Sequence, residues 1–210
     1  MNIYHQFIFP RLLDRMMQGE SFSIYRRSLL ADVSGDVLEI GFGTGLNLAH
    51  YPSGVRQLTT VDPNPGMNRL SRPRLDATPI MVDQRLLSGE ALPMAAESFD
   101  SVVSTWTLCS IPKVEQALDE ICRVLRPGGK FFFIEHGLAA DDPTLQRWQN
   151  RVNPLQNWLG DGCNLNRDMA ALVLRVFPQT EIDQFYMENL PKLGGYMYRG
   201  IASKSIGGDD

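Results

Sequence analysis

The chain has 210 residues, 43% of them apolar and 9% aromatic, and a formal net charge of −4. That is enough for one α/β domain with a full core, and the absence of a lysine–arginine cluster argues against nucleic acid as the main partner, because phosphate neutralisation needs a basic face. The three cysteines, Cys109, Cys122 and Cys163, are far apart and form no Cys-x-x-Cys pair, so no metal site and no disulfide framework is expected and a reducing cytoplasm is the plain location; no run reaches the roughly twenty apolar residues of a membrane span.

Residues 1–34 read as a helical cap interrupted at Pro10 and Gly19, with Ile8, Leu12, Leu13, Met16 and Met17 on one helical stripe. The segment lacks an early basic region and a small-residue cleavage site, so it does not read as a signal peptide. Its stripe is expected to cover a cleft or a sheet edge. The sharper alternative is a substrate lid with weak membrane-surface contact. Residues 35–206 then form the main domain, and 207–210 are expected to fray.

From Val37 to Asn47 the chain runs VLEIGFGTGLN. An apolar strand enters a turn with glycines at 41, 43 and 45, and a second apolar run ends at Asp62. Strand, glycine turn, helix and a terminal acid make a nucleotide-type cofactor site. The spacing is G-x-G-x-G, not the G-x-G-x-x-G of a dinucleotide site, and Glu39 precedes it. A carboxylate there repels a pyrophosphate and suits a cation. S-adenosylmethionine, with its sulfonium and ammonium and no phosphate, meets that requirement. Glu39, Gly41, Phe42, Gly43, Thr44, Gly45 and Asn47 are the expected cofactor turn.

In VDPNPGM, Asp62 would hold ribose hydroxyls, Pro63 and Asn64 would open the next helix and line the adenine, with Asn64 also the better helix cap, and Met67 joins the cofactor set. In SGEALP, backbone from Gly89, Glu90 and Ala91 would close on the adenine. Thr105, at the end of the fourth strand, completes the set. The run RVLRPGGKFFFIEHG is a helix end, a turn and a fifth strand.

Strands are expected at 36–40, 57–61, 78–82, 99–104 and 130–135, and helices at 44–51, 64–72, 114–125, 142–159 and 166–176, the last capped by Asn166. TEIDQFYM and GGYMYRGIASK read as two further strands. The sum is a doubly wound, mostly parallel seven-stranded sheet with an antiparallel closing strand, its ligand at the carboxyl ends of the strands.

Methyl transfer from a sulfonium is an in-line displacement that needs positioning more than a loud catalytic motif. The candidates lie after strands four and five. His136 stands at a strand's carboxyl end, and its ordinary pKa of about 6.5 suits a general base. A histidine bonded only to loop backbone is the competing reading. Cys109 would touch the acceptor, or else be a small core residue. In LGDGCNLNRD, Asp161, Cys163, Asn164 and Arg167 would face the acceptor if that loop folds over the cleft. Trp106, Leu108, Ile111, Trp148 and Trp158 would line an apolar pocket or fill the core.

The run from Glu39 to Gly45 resembles the first motif of class I S-adenosylmethionine-dependent methyltransferases. Together with VDPNPGM, TWTLCSIPKVEQALDEICRVLRPGGKFFFIEH and DGCNLNRD, it resembles a narrower group over residues 36–203: the methyltransferase-like proteins of animal endoplasmic reticulum that methylate alkyl thiols, and their bacterial relatives. The resemblance implies S-adenosylmethionine as cofactor and a small thiol-bearing or apolar acceptor. The animal proteins also carry an amino-terminal membrane anchor, which the short amphipathic start does not match. A quinone-precursor carbon or a phospholipid amine is the alternative acceptor. A non-catalytic module fits poorly, since the glycines and both acids are present, and an NAD-linked oxidoreductase fits the spacing poorly. Oligomeric state has no signal in the sequence.

Overall fold

In the computed structural model, which describes residues 3–206, alternating strands and helices build a single seven-stranded sheet. The strands are β1 (Gly35–Ile40), β2 (Val55–Val61), β3 (Met81–Arg85), β4 (Phe99–Thr105), β5 (Leu125–His136), β6 (Ile182–Tyr186) and β7 (Tyr196–Ser203). Their order is β3-β2-β1-β4-β5-β7-β6. β1 to β5 pair in parallel, and β7 enters antiparallel between β5 and β6. The helices are α1 (Phe9–Met17), α2 (Glu20–Leu30), α3 (Pro65–Ala77), α4 (Val114–Val124), α5 (Pro143–Leu159), α6 (Met169–Val176) and the single turn α7 (Lys192–Gly195).

The central strands are apolar at successive positions because both sheet faces are covered. Side chains alternate between the faces. Leu38, Val102, Phe131 and Phe133 pack with Leu118 and Ile121 of α4 and Val173 of α6. Val37, Val103, Phe132 and Ile134 pack on the other face with Leu29 and Leu30 of α2.

The architecture is the expected doubly wound sheet, with local departures. β3 starts three residues later than expected. The helix expected at 44–51 is one 3₁₀ turn, Leu46–His50, squeezed between left-handed Gly45 (φ +80°) and Pro52. β5 begins at Leu125, before the glycine pair. α6 is capped by Asp168, whose carboxylate accepts from Ala171 N at 3.0 Å, and not by Asn166. Asn64 caps α3 as expected, accepting from Gly66 N at 2.8 Å.

At the start, a π-helical turn (Tyr4–Ile8) runs directly into α1, so Pro10 marks a change of helix type and not the expected break. Gly19 does separate α1 from α2. The apolar stripe divides: Leu13 and Met17 pack inward, whereas Ile8, Leu12 and Met16 face outward. The expected fraying of 207–210 lies outside the described residues.

Candidate functional site

β1, β2, β4 and β5 all end on one edge of the sheet, where the glycine turn, Glu39, Asn47, Asp62, Asn64 and Thr105 come together. Gly41, Gly43 and Gly45 all have positive φ. Gly41 is required twice over, since a Cβ would also sit 2.0 Å from Thr107 Oγ1. Gly43 N donates to Asp62 Oδ2 and Asn64 N to Asp62 Oδ1, each at 2.8 Å. One carboxylate therefore ties the glycine turn to the start of α3. Burial pushes Asp62 up to about 6, against the pull of those two N–H groups.

Glu39 lies beneath the turn, 1% exposed. Its Oε1 accepts from Asn47 Nδ2 at 2.8 Å and its Oε2 from Tyr51 OH at 2.7 Å. Burial pushes its carboxyl up to about 7. Asn47 Nδ2 also reaches Thr105 Oγ1 at 3.1 Å, while Asn47 Oδ1 is buried with no hydrogen-bond partner. Gly89 is buried against Ile40, where a Cβ would approach the isoleucine side chain to 2.7 Å. Glu90 turns its carboxylate to Lys113 N at 2.7 Å, and Ala91 is exposed. Met67 is buried beside this edge and Pro63 is exposed. Phe42 points into the core between Leu30 and Leu58, so only its backbone belongs to the turn.

The amino-terminal segment lies over this half. Asn64 Nδ2 donates to His5 O at 2.9 Å and Arg69 to Gln6 O at 3.0 Å. A Cβ on Gly66 would sit 2.1 Å from Gln6 O. Asp14 takes Thr44 Oγ1 at 2.5 Å and Arg74 Nη1 at 3.0 Å.

The second half lies after β4 and β5. His136 ends β5, and its Nε2 stands 2.9 Å from Cys163 Sγ. Cys109, 2% exposed, completes a cluster whose ligand-type atoms all lie within 4.8 Å of one another. The neighbouring Cys109 and burial hold the Cys163 thiol well above its ordinary value. The segment carrying Cys109 is pinned from two sides. Thr107 N and Leu108 N both donate to buried Glu135 Oε1 at 3.0 Å. Asn164 donates its N and its Nδ2 to Cys109 O, each at 3.0 Å, and Arg167 donates to Leu108 O. The loop 160–167 thus packs against the segment after β4.

Asp161 does not join His136 and Cys109. Its left-handed backbone (φ +52°) turns the carboxylate to Asn64 Nδ2 at 3.1 Å and His5 Nδ1 at 3.0 Å, on the cofactor side. Trp148 and Trp158 are exposed, 56% and 70%, and neither is core. Leu108 and Ile111 are core, and half-buried Trp106 packs against Phe22 and Arg26. Sequence reasoning did not single out Tyr51, Asp14 or the meeting of Cys109, His136 and Cys163. None of these has a local motif, and only the chain's return at 160–167 brings the last together.

A family model described as a methyltransferase domain matches residues 38–133. Human thiol S-methyltransferase TMT1A is 36% identical over 173 residues, covering 76% of this chain and 70% of that protein. The phosphatidylethanolamine N-methyltransferase of Cereibacter sphaeroides is 31% identical over 166 residues, covering 74% and 79%. Among solved structures, a methyltransferase of Thermotoga maritima, described as a possible histamine N-methyltransferase, superposes with a TM-score of 0.65 at 19% identity, covering 94% of this chain and 98% of that one. That last likeness concerns the fold alone.

Proposed function

This chain belongs to the class I S-adenosylmethionine-dependent methyltransferases, and from that premise we propose that it methylates the sulfur of a small thiol. The cofactor brings an activated methyl group on a sulfonium. The residues present fit it. Asn47 Oδ1 is a buried acceptor awaiting a donor, which the ammonium supplies. The space above Gly43 is open, a Cβ there meeting only Gly41 O at 3.9 Å. Glu39 and Asp62 offer negative charge to a cation.

In this reading the Gly41–Gly45 turn, Thr44, Asn47 and Glu39 hold the amino-acid end. Asp62 has a lone pair left on each oxygen for the ribose. Gly89, Glu90 and Ala91 bring backbone to the adenine beside Pro63 and Met67, and Thr105 orients Asn47. Residues 1–34 act as a lid on the catalytic unit 35–206, and Asp161 belongs to that closure.

The observation that carries the acceptor reading is the thiol–imidazole cluster at the ends of β4 and β5. It is soft and largely buried, suited to a sulfur nucleophile and poorly suited to a lipid headgroup. An acceptor thiol ionises near 8.5, so a modest local bias generates thiolate. The cluster of His136, Cys109 and Cys163 and the neighbouring Arg167 guanidinium provide it. The relatives named as thiol S-methyltransferases support the same reading.

The test is a methyl-transfer screen by mass spectrometry, with an alkyl monothiol, phosphatidylethanolamine vesicles and a quinone-precursor phenol as acceptors. Methylation of the thiol alone is expected. Methylation of the lipid amine or the phenol, with none of the thiol, would overturn the assignment.

A further inference from the structure

The thiols of Cys109 and Cys163 and the imidazole of His136 satisfy one another poorly as hydrogen-bond partners, because a thiol donates and accepts weakly. They are a good set for a metal ion. Two thiolates and one imidazole, with a fourth position left open, form one of the ligand sets of catalytic zinc. Zn–S and Zn–N distances of about 2.3 and 2.0–2.1 Å place tetrahedral ligand atoms about 3.5–3.8 Å apart. The three atoms here lie within 4.8 Å of one another, with His136 Nε2 2.9 Å from Cys163 Sγ. Side-chain shifts of about 1 Å would bring them to that geometry.

We propose that Cys109, His136 and Cys163 bind a Zn2+ ion whose fourth position faces the methyl acceptor. The ligands are held before any ion arrives. Asn164, Arg167 and Glu135 fix the backbone around Cys109. The antiparallel pairing of β5 with β7 fixes His136 opposite Met197. Asn157 Nδ2 donates to Gly162 O at 2.9 Å and shapes the turn before Cys163. This backbone support positions the two cysteines, whereas His136 Nδ1 is buried with no hydrogen-bond partner and the ring is held by packing and by its Nε2 contact with Cys163. Among the described residues no fourth histidine, cysteine or carboxylate joins the cluster. Asp161, two residues from Cys163, is turned away to Asn64 and His5.

Charge balances as well. Two thiolates neutralise the ion, and a third thiolate leaves one negative charge for Arg167, which stands beside both cysteines. The role in catalysis rests on the thiol reading above. The acceptor R–SH would bind at the open position and lose its proton to solvent. Its metal-bound sulfur would attack the sulfonium methyl. The new S–CH3 bond forms as the old C–S bond breaks, its electron pair returning to the cofactor sulfur. The product thioether is neutral, ligates weakly and leaves.

The test uses the whole chain, stripped of metal by chelator and titrated with Zn2+ against a chromogenic competitor, then with Co2+ under optical spectroscopy. One Zn2+ per chain is expected, together with a thiolate-to-cobalt charge-transfer band and the visible bands of tetrahedral cobalt. Cys163→Ser should weaken metal binding at least about 100-fold, with circular dichroism and S-adenosylhomocysteine affinity unchanged, and Cys122→Ser should change nothing. The cobalt spectrum reads the thiolates in the wild-type chain, so the test survives a variant that fails to fold. Wild-type affinity no tighter than that of Cys163→Ser, or a Cys109–Cys163 disulfide in place of metal binding, would overturn the site. Full-rate thiol methylation by stripped protein would overturn its catalytic role. Stoichiometric Zn2+ binding with no thiol methylation would uphold the site and defeat only the acceptor reading.

Discussion

On the β1–β2 side of the sheet edge, the contacts that join the glycine turn to α3 come from residues 39–64, and carboxylates hold them. Asp62 spans two backbone N–H groups, and Glu39 takes an amide and a phenol. On the β4–β5 side the donors come from positions 109, 136 and 163, and the shared groups are thiols and an imidazole. The first half presents carboxylate oxygens and fixed backbone amides, the groups proposed above to hold a cofactor common to many enzymes. The second half is soft and assembled from distant segments. A fold can keep the first half and change acceptors by rebuilding the second.

Substitutions should separate the halves. Asp62→Ala leaves two buried N–H groups without an acceptor and removes the proposed ribose partner, so S-adenosylhomocysteine affinity should fall roughly 100- to 1,000-fold by titration calorimetry. Wild-type affinity in that variant would remove Asp62 from the site. His136→Ala should lower kcat about 30- to 100-fold while cofactor affinity stays within about twofold. A parallel loss of cofactor binding would show that the halves are not independent.

Acid probes the first half through Glu39 and Asp62. Cofactor affinity should be about tenfold weaker at pH 6 than at pH 8, because Glu39, at about 7, loses the charge that attracts the ammonium. Stability of the cofactor-free protein should run the other way. Between about 4.5 and 7 the unfolded chain has released the Glu39 proton and the folded chain keeps it, so stability falls as pH rises through that window, by about 3 kcal/mol for Glu39 alone. A melting temperature that drops between pH 7 and pH 5 would contradict the raised carboxyl. The smallest effect is expected at the lid. Asp14→Asn loosens a half-buried pair with Arg74 and Thr44 and should speed cofactor release about threefold by stopped flow. A release rate unchanged from wild type would mean that the cap does not gate the cofactor.

The fold of the glycine-turn half was legible in the sequence because its geometry is local. Glycines two residues apart demand positive φ, and an acid that ends the next parallel strand must lie beside them. The sheet was legible for the same reason: β5 and its turn carry their own apolar and Gly-Pro signals. The acceptor half was legible only in pieces. His136 and the loop at 160–167 stood out by composition, but no spacing rule joins Cys109 to Cys163, since their approach depends on the path of α5. Asp161 was assigned to the acceptor on composition, and its left-handed backbone sends it to Asn64 instead. The tryptophans of α5 are not core; a large apolar side chain looks the same in sequence whether it faces core or solvent.

The position of β7 has a consequence for how the protein is made. β5, with three consecutive buried phenylalanines, pairs on one side with β4 and on the other with β7, which is translated about 60 residues later. At synthesis rates of about 5–20 residues per second, the nascent chain carries that open apolar edge for roughly 3–12 seconds. An unpaired edge of this kind recruits other strands. A ribosome stalled before Tyr196 would present a nearly complete sheet with its stickiest strand exposed, a natural target for chaperones during translation.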